Sequence, residues 1–131
     1  MKKLVLITAF LFCLNLLAQR EFYELRTYEL YQSSNFKDFN TYFEDYLIPT
    51  LNKKGINNIG VFKEVSMDLP RKMYVLIPYP NITVYQSVSR SIKGDPNNAD
   101  ASVKLNKKNR PMFNRYSTSL YDAFEGMPNL A

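Results

Sequence analysis

The sequence predicts an α+β domain in which a four-stranded antiparallel sheet carries helices on one face, in the order β-α-β-β-α-β. Three observations carry that reading. Strand-like segments rich in Tyr, Phe, Val and Ile stand near both ends of the chain and as a pair in its middle. A segment with helical apolar spacing lies between the first strand and the pair. A second, less regular helical region lies between the pair and the last strand, which completes a ferredoxin-like split pattern.

The chain opens with a leader. Lys2 and Lys3 form a positive start, Leu4 to Leu14 is almost unbroken in apolar character, and Leu16-Leu17-Ala18 offers a cleavage site. Residues 1–18 are therefore read as a signal peptide, with the mature chain beginning at Gln19 in a periplasmic or secreted location. The apolar run falls short of the roughly 20 residues that span a bilayer, so no stable membrane anchor is expected after cleavage. The competing reading is an uncleaved anchor, because Leu16 is bulky for its place. Cys13 lies inside the run behind Phe10-Leu11-Phe12, not behind the small residues a lipid-attachment site needs. Once the leader is removed no cysteine remains, which excludes disulfides, thiolate metal sites and cysteine nucleophiles.

Without the leader 113 of 131 residues remain, enough for one ordinary domain. Residues 19–124 are assigned to it, and 125–131 to a C-terminal tail or linker. The mature chain carries 15 basic and 12 acidic side chains, a net +3, which is not a nucleic-acid-binding composition. The full sequence holds ten Tyr and nine Phe, two of the Phe in the leader, so an aromatic core is available. There is no His. That removes the usual proximal haem ligand, the Ser-His-Asp triad and the histidine zinc site, so neither metal nor cofactor is expected.

Glu21 to Leu30 reads as the first strand. Ser33-Ser34-Asn35 marks a helix start, followed by Phe36, Phe39, Phe43, Tyr46, Leu47 and Leu51 as one apolar stripe over about five turns. Gly55 is the natural end of that helix, behind Lys53-Lys54 at the negative end of its dipole. Pro49 is predicted to bend the last turn or shift its hydrogen bonding. Ile56 to Val65 reads as the second strand. Lys72 to Tyr79 reads as the third, ended by Pro78 and Pro80, its continuous apolar run implying burial on both faces.

Asn81 is placed to cap a helix with Val84, Val88 and Ile92 on one face. Asp95-Pro96 suits a second helix start, leading into a weakly amphipathic segment from Asn97 to Arg110. Phe113 to Phe124 is the last strand.

Several phrases give the chain its resemblance to the NIPSNAP family. They are Tyr-Glu-Leu-Arg-Thr-Tyr at 23–28, Tyr-Phe-Glu-Asp-Tyr-Leu-Ile-Pro at 42–49, Gly-Val-Phe at 60–62, and Ser119-Leu120 with Phe124-Glu125-Gly126-Met127-Pro128. They span nearly the whole mature chain and keep the family's order. The resemblance implies a dimeric α/β-barrel relative of the ferredoxin-like fold. In it, two sheets close around an interior, as a homodimer or by pairing with a second NIPSNAP-like domain.

No catalytic constellation is visible. Strand alternation places Glu24, Arg26 and Tyr28 on one face of the first strand and Tyr23, Leu25 and Thr27 on the other. Given the implied fold, the charged set is expected to face the cavity or the partner sheet. There Glu24 and Arg26 would orient a polar group of a small apolar ligand, and Tyr28 and Phe62 would be aromatic walls. The simpler reading, which weighs more, is that Glu24 and Arg26 pair across strands or across a subunit interface. Lys104, Lys107, Lys108 and Arg110 form a basic stripe best read as a solvated helix face. Asn81-Ile82-Thr83 matches a glycosylation acceptor. Asp95, Asp100 and Asp122 lack metal-like spacing. Tyr74, Tyr79, Tyr116 and Tyr121 belong mostly to core or interface. The expected role is a non-catalytic small-molecule-binding or assembly module. The alternative is a cofactor-independent monooxygenase or isomerase using Tyr28, Arg26 or Glu24 as acid or base.

Overall fold

A computed structural model describes residues 20–66, 68–95 and 113–129. The leader at 1–18 with Cys13, the helix expected over 97–110 with its basic stripe, and Asp100 lie outside the described residues. Within them the order is β1 (Phe22–Leu30), α1 (Phe36–Tyr42), a π-helical segment (Phe43–Leu47), α2 (Ile48–Asn52), β2 (Gly60–Lys63), β3 (Lys72–Tyr79), α3 (Ile82–Lys93) and β4 (Phe113–Asp122). The strands form one antiparallel sheet ordered β2-β3-β1-β4. This is the predicted α+β, ferredoxin-like class.

Asn35 opens the first helical region, its side chain accepting from the Lys37 backbone N–H at 3.0 Å. Pro49 accounts for the π segment. A proline here has no N–H to give and its ring presses on the carbonyl four residues back. The ladder slips by one residue ahead of it, so that the Ile48 N–H donates to the Phe43 carbonyl.

Beyond α2 the Gly55 N–H donates to the Asn52 carbonyl at 2.9 Å and the Ile56 N–H to the Leu51 carbonyl at 3.1 Å. Gly55 has φ +78°, and Ile56 and Leu51 are both buried. Together these make a Schellman ending with its hydrophobic contact. An added Cβ at Gly55 would meet nothing within 4 Å, so only backbone conformation opposes it. Gly55→Ala is therefore expected to cost about 1 kcal/mol, read as a lower urea midpoint. An unchanged or higher midpoint would contradict the assignment.

That ending also corrects the second strand. Residues 56–59 are taken by the helix exit and by Asn58 in the left-handed region at φ 58°, so pairing starts only at Gly60. β3 runs through Pro78, which a central strand would not tolerate. β2 reaches only as far as Leu76, so Pro78 has β1 on one side and no strand on the other among the described residues. Burial in β3 alternates over most of its length. Met73, Val75 and Ile77 are buried, while Lys72, Tyr74 and Leu76 are half-buried. The continuous apolar run thus covers one face, not two.

α3 starts as predicted, with Asn81 Oδ1 accepting from the Val84 N–H at 2.9 Å and Val88 and Ile92 buried. The glycosylation-like triplet is accordingly a helix cap and first turn. All the helices among the described residues lie on one face. Tyr28 meets Phe39 and Phe43 at 5.8 Å each, and Phe22 and Tyr79 each meet Tyr85 at 5.3 Å. At the far end Phe36 is flanked by Lys63 and Arg71, and Arg71 donates to the Gln32 and Ser34 carbonyls. These contacts tie the β2–β3 hairpin to the start of α1.

Candidate functional site

Alternation along β1 puts Phe22, Glu24, Arg26, Tyr28 and Leu30 on the helix-covered face, all of them buried. Two of the five are charged, on a central strand beneath helices. They are reconciled by one another. Arg26 Nε donates to Glu24 Oε1 at 2.8 Å and Nη2 to Glu24 Oε2 at 3.0 Å, a bidentate pair formed within one strand. Tyr79 of β3 adds its hydroxyl to Glu24 Oε2 at 2.9 Å. The ion pair forms two positions apart on one strand, where the sequence predicts pairing across strands or across a subunit interface.

The face is a correction. The sequence predicts that Glu24, Arg26 and Tyr28 face a barrel cavity or a partner sheet; they point into the layer between sheet and helices. Phe62 is 53% exposed and stands opposite Tyr74, which stands opposite Thr27. Register therefore puts Phe62 on the open face, and it cannot be a wall of the same site as Tyr28. The sequence offered no sign of this, because facing of β2 depends on where its pairing begins.

Tyr42 and Tyr116, which no local pattern joins to Arg26, both lie within electrostatic reach of the guanidinium. Tyr28 meets Tyr116 at 5.1 Å and Phe113 at 5.5 Å, and Tyr42 stacks on Tyr46 at 5.7 Å. Burial opposes the charge of Arg26, but the hydrogen-bonded Glu24 carboxylate outweighs it and holds the guanidinium ionised. Burial pushes the Tyr28 hydroxyl up, with Arg26 opposing. Burial and then the Glu24 charge push Tyr79 up. Tyr42 is pushed up to about 12 by burial, again against the pull of Arg26.

These phenols are neutral hydrogen-bond donors at physiological pH. A folded-state pKa raised above the unfolded value stabilises the fold below the unfolded pKa, and that stability is lost as pH rises through the folded one. The urea midpoint is therefore expected to fall between about pH 10 and 12, as tyrosinate absorbance rises. A midpoint level across that window would contradict the buried-phenol arrangement.

Among the described residues no group of three His, Cys, Asp or Glu side chains could hold a metal ion. No helix among them is long and apolar enough to cross a membrane.

A sheet of this order with its helices on one face defines the chain as a ferredoxin-like α+β protein. Known structures narrow the likeness further. A NIPSNAP-like domain protein from Burkholderia xenovorans is 17% identical, over 87% of this chain and 94% of that one, with a TM-score of 0.67. A NIPSNAP family protein of unknown function from Agrobacterium tumefaciens is 16% identical, over 84% and 94%, with a TM-score of 0.65. A mutant of SnoaB, a cofactor-independent oxygenase from Streptomyces nogalater, is 11% identical, over 86% and 100%, with a TM-score of 0.60. No family model and no curated protein matches the sequence. The fold is thus that of the NIPSNAP proteins and of SnoaB.

Proposed function

We propose that the chain is an exported member of the NIPSNAP family that works as a non-catalytic binding and assembly module. Its ligand would be a small, largely aromatic compound with a hydrogen-bond-accepting oxygen. One observation carries this reading: a buried, charged Arg26 paired with Glu24, with the phenols of Tyr28, Tyr42 and Tyr116 within its electrostatic reach. The guanidinium and the phenol hydroxyls can all donate, while both Glu24 oxygens are already occupied. Such a setting favours an acceptor.

Anilinonaphthalene sulfonate, an aromatic probe carrying an anionic acceptor, tests it. Saturable fluorescence enhancement is expected, lost in Tyr116→Ala and kept in Phe62→Ser. No enhancement, or enhancement lost only in Phe62→Ser, would overturn the reading.

Assembly would use the open face of the sheet, where Leu25, Tyr74 and Leu76 are half-buried and Phe62 is exposed. Contiguous apolar surface of this kind is uncommon on monomers. The partner would be a second copy or a second NIPSNAP-like domain. Export rests on Lys2, Lys3, the apolar run and Ala18. Sequencing the protein from its native cell should give Gln19 first; an intact cytoplasmic product starting at Met1 would refute it.

The likeness to SnoaB favours a second reading, a cofactor-independent oxygenase or isomerase. Glu24 is a poor general base here, since Arg26 and Tyr79 occupy both its oxygens, so Tyr28 or Tyr42 would carry the proton. An aromatic ligand recovered unchanged after aerobic incubation supports the binding module. One recovered isomerised or with an added oxygen atom supports the enzyme.

A further inference from the structure

We propose that the ligand of this site presents two coplanar oxygens to the far end of the Arg26 guanidinium, as a carboxylate or as oxygens on adjacent ring carbons. This rests on the binding-module reading and narrows its ligand from any acceptor to a two-pronged one.

A guanidinium carries five N–H groups in a flat, rigid fork. Nε and Nη2 lie along one side of that plane, and each gives one N–H to Glu24, at 2.8 and 3.0 Å. The side-on pair is thus spent on a carboxylate, which the Tyr79 hydroxyl also holds at 2.9 Å. One N–H on Nη2 and both on Nη1 remain. One from each nitrogen runs parallel to the other off the end of the plane, a second fork of the same kind as the first. Among the described residues no carboxylate or carbonyl accepts from it.

Tyr28 follows Arg26 by two residues, as Glu24 precedes it by two, so the two flank the guanidinium from opposite sides along β1. The Tyr28 hydroxyl is accordingly a neighbour of the Nη1 edge, the one turned away from Glu24. One hydroxyl oxygen cannot fill two parallel N–H groups, so the end of the fork is left for a ligand. The approach is from the arginine, whose side chain is 11% exposed against 4% for Glu24.

A single oxygen lies in line with only one N–H of a parallel pair, whereas two coplanar oxygens meet both, as in bidentate recognition of carboxylates. The second charge-assisted hydrogen bond is expected to contribute about tenfold in affinity.

Displacement of bound anilinonaphthalene sulfonate from the full chain tests this with compounds of one ring system. Naphthoate and the dihydroxynaphthalene with adjacent hydroxyls present two coplanar oxygens. Naphthol presents one, and the dihydroxynaphthalene with its hydroxyls on opposite rings presents two that cannot reach one fork. Naphthoate or the adjacent diol should displace the probe at about one-tenth the concentration that naphthol and the distal diol need. Whichever of the first two leads identifies the source of the oxygens. Arg26→Lys keeps the charge and removes the fork, so the adjacent and distal diols, both neutral, should become equal. Circular dichroism checks that this variant folds, and the wild-type series stands without it.

Equal displacement by one-oxygen and two-oxygen compounds would overturn the proposal and leave the binding module standing. So would a bound probe that none of the four displaces, or a preference for the adjacent diol that survives Arg26→Lys. A chain that binds no probe at all would sink both readings.

Discussion

Arg26→Met is expected to cost about 3–5 kcal/mol of folding stability, the largest effect of any polar substitution in the chain. The guanidinium satisfies Glu24 at 2.8 and 3.0 Å, and Glu24 is only 3% exposed. Removing Arg26 leaves a carboxylate under the helices that still accepts from the Tyr79 hydroxyl but has lost its counter-charge. Whole-domain stabilities are only about 5–15 kcal/mol, so the variant sits close to unfolding at room temperature. The double variant Glu24→Leu, Arg26→Met should recover much of the loss, because it also removes the charge that was left unpaired. Urea unfolding of the two variants decides this. A double variant less stable than the single one would mean that the pair stabilises the fold beyond satisfying itself.

Phe43→Ala is expected to cost about 3–5 kcal/mol. Phe43 is 1% exposed and opens the π segment, with Tyr42 at 5.5 Å, Tyr28 at 5.8 Å and Phe39 at 6.1 Å. The slipped hydrogen bonding ahead of Pro49 fixes the turn, so the surroundings have little freedom to collapse into the space. Phe62→Ala is the matched control. At 53% exposure on the open face it should stay within about 0.5 kcal/mol in the isolated chain. Equal losses from the two substitutions would contradict the assignment of faces.

The tyrosines link stability to the candidate site. Tyr28 lies against Phe39, Phe43, Phe113 and Tyr116, and it is also a neighbour of Arg26. Substitutions there would change core packing and ligand contacts together. Tyr116, 44% exposed, is the more informative position for binding, since its loss leaves the packed core largely in place.

Much of the architecture is local and therefore legible from the chain alone. Asn35 and Asn81 cap helices because their short side chains reach a backbone N–H two or three residues on. Gly55 ends a helix because that ending needs a positive φ, and Pro49 disturbs one because it has no N–H to give. β3 begins and ends where its composition placed it, and alternation alone put Glu24, Arg26 and Tyr28 on a common face.

Which face that was, and what it met, are matters of tertiary structure. A period of two says that residues share a side, not whether the side is covered by helices or left open. The helices settled on the face carrying the ion pair because it also carries Phe22, Tyr28, Leu30, Met73, Val75 and Ile77, the larger apolar set. Phe62 fell on the other side because pairing of β2 begins at Gly60, a consequence of how the chain leaves α2. Tyr42 and Tyr116 reached Arg26 from 16 and 90 residues away in sequence, through helix packing and strand pairing. No local pattern encodes contacts of that range; they arise from burying aromatic surface against a sheet whose charges had already neutralised one another.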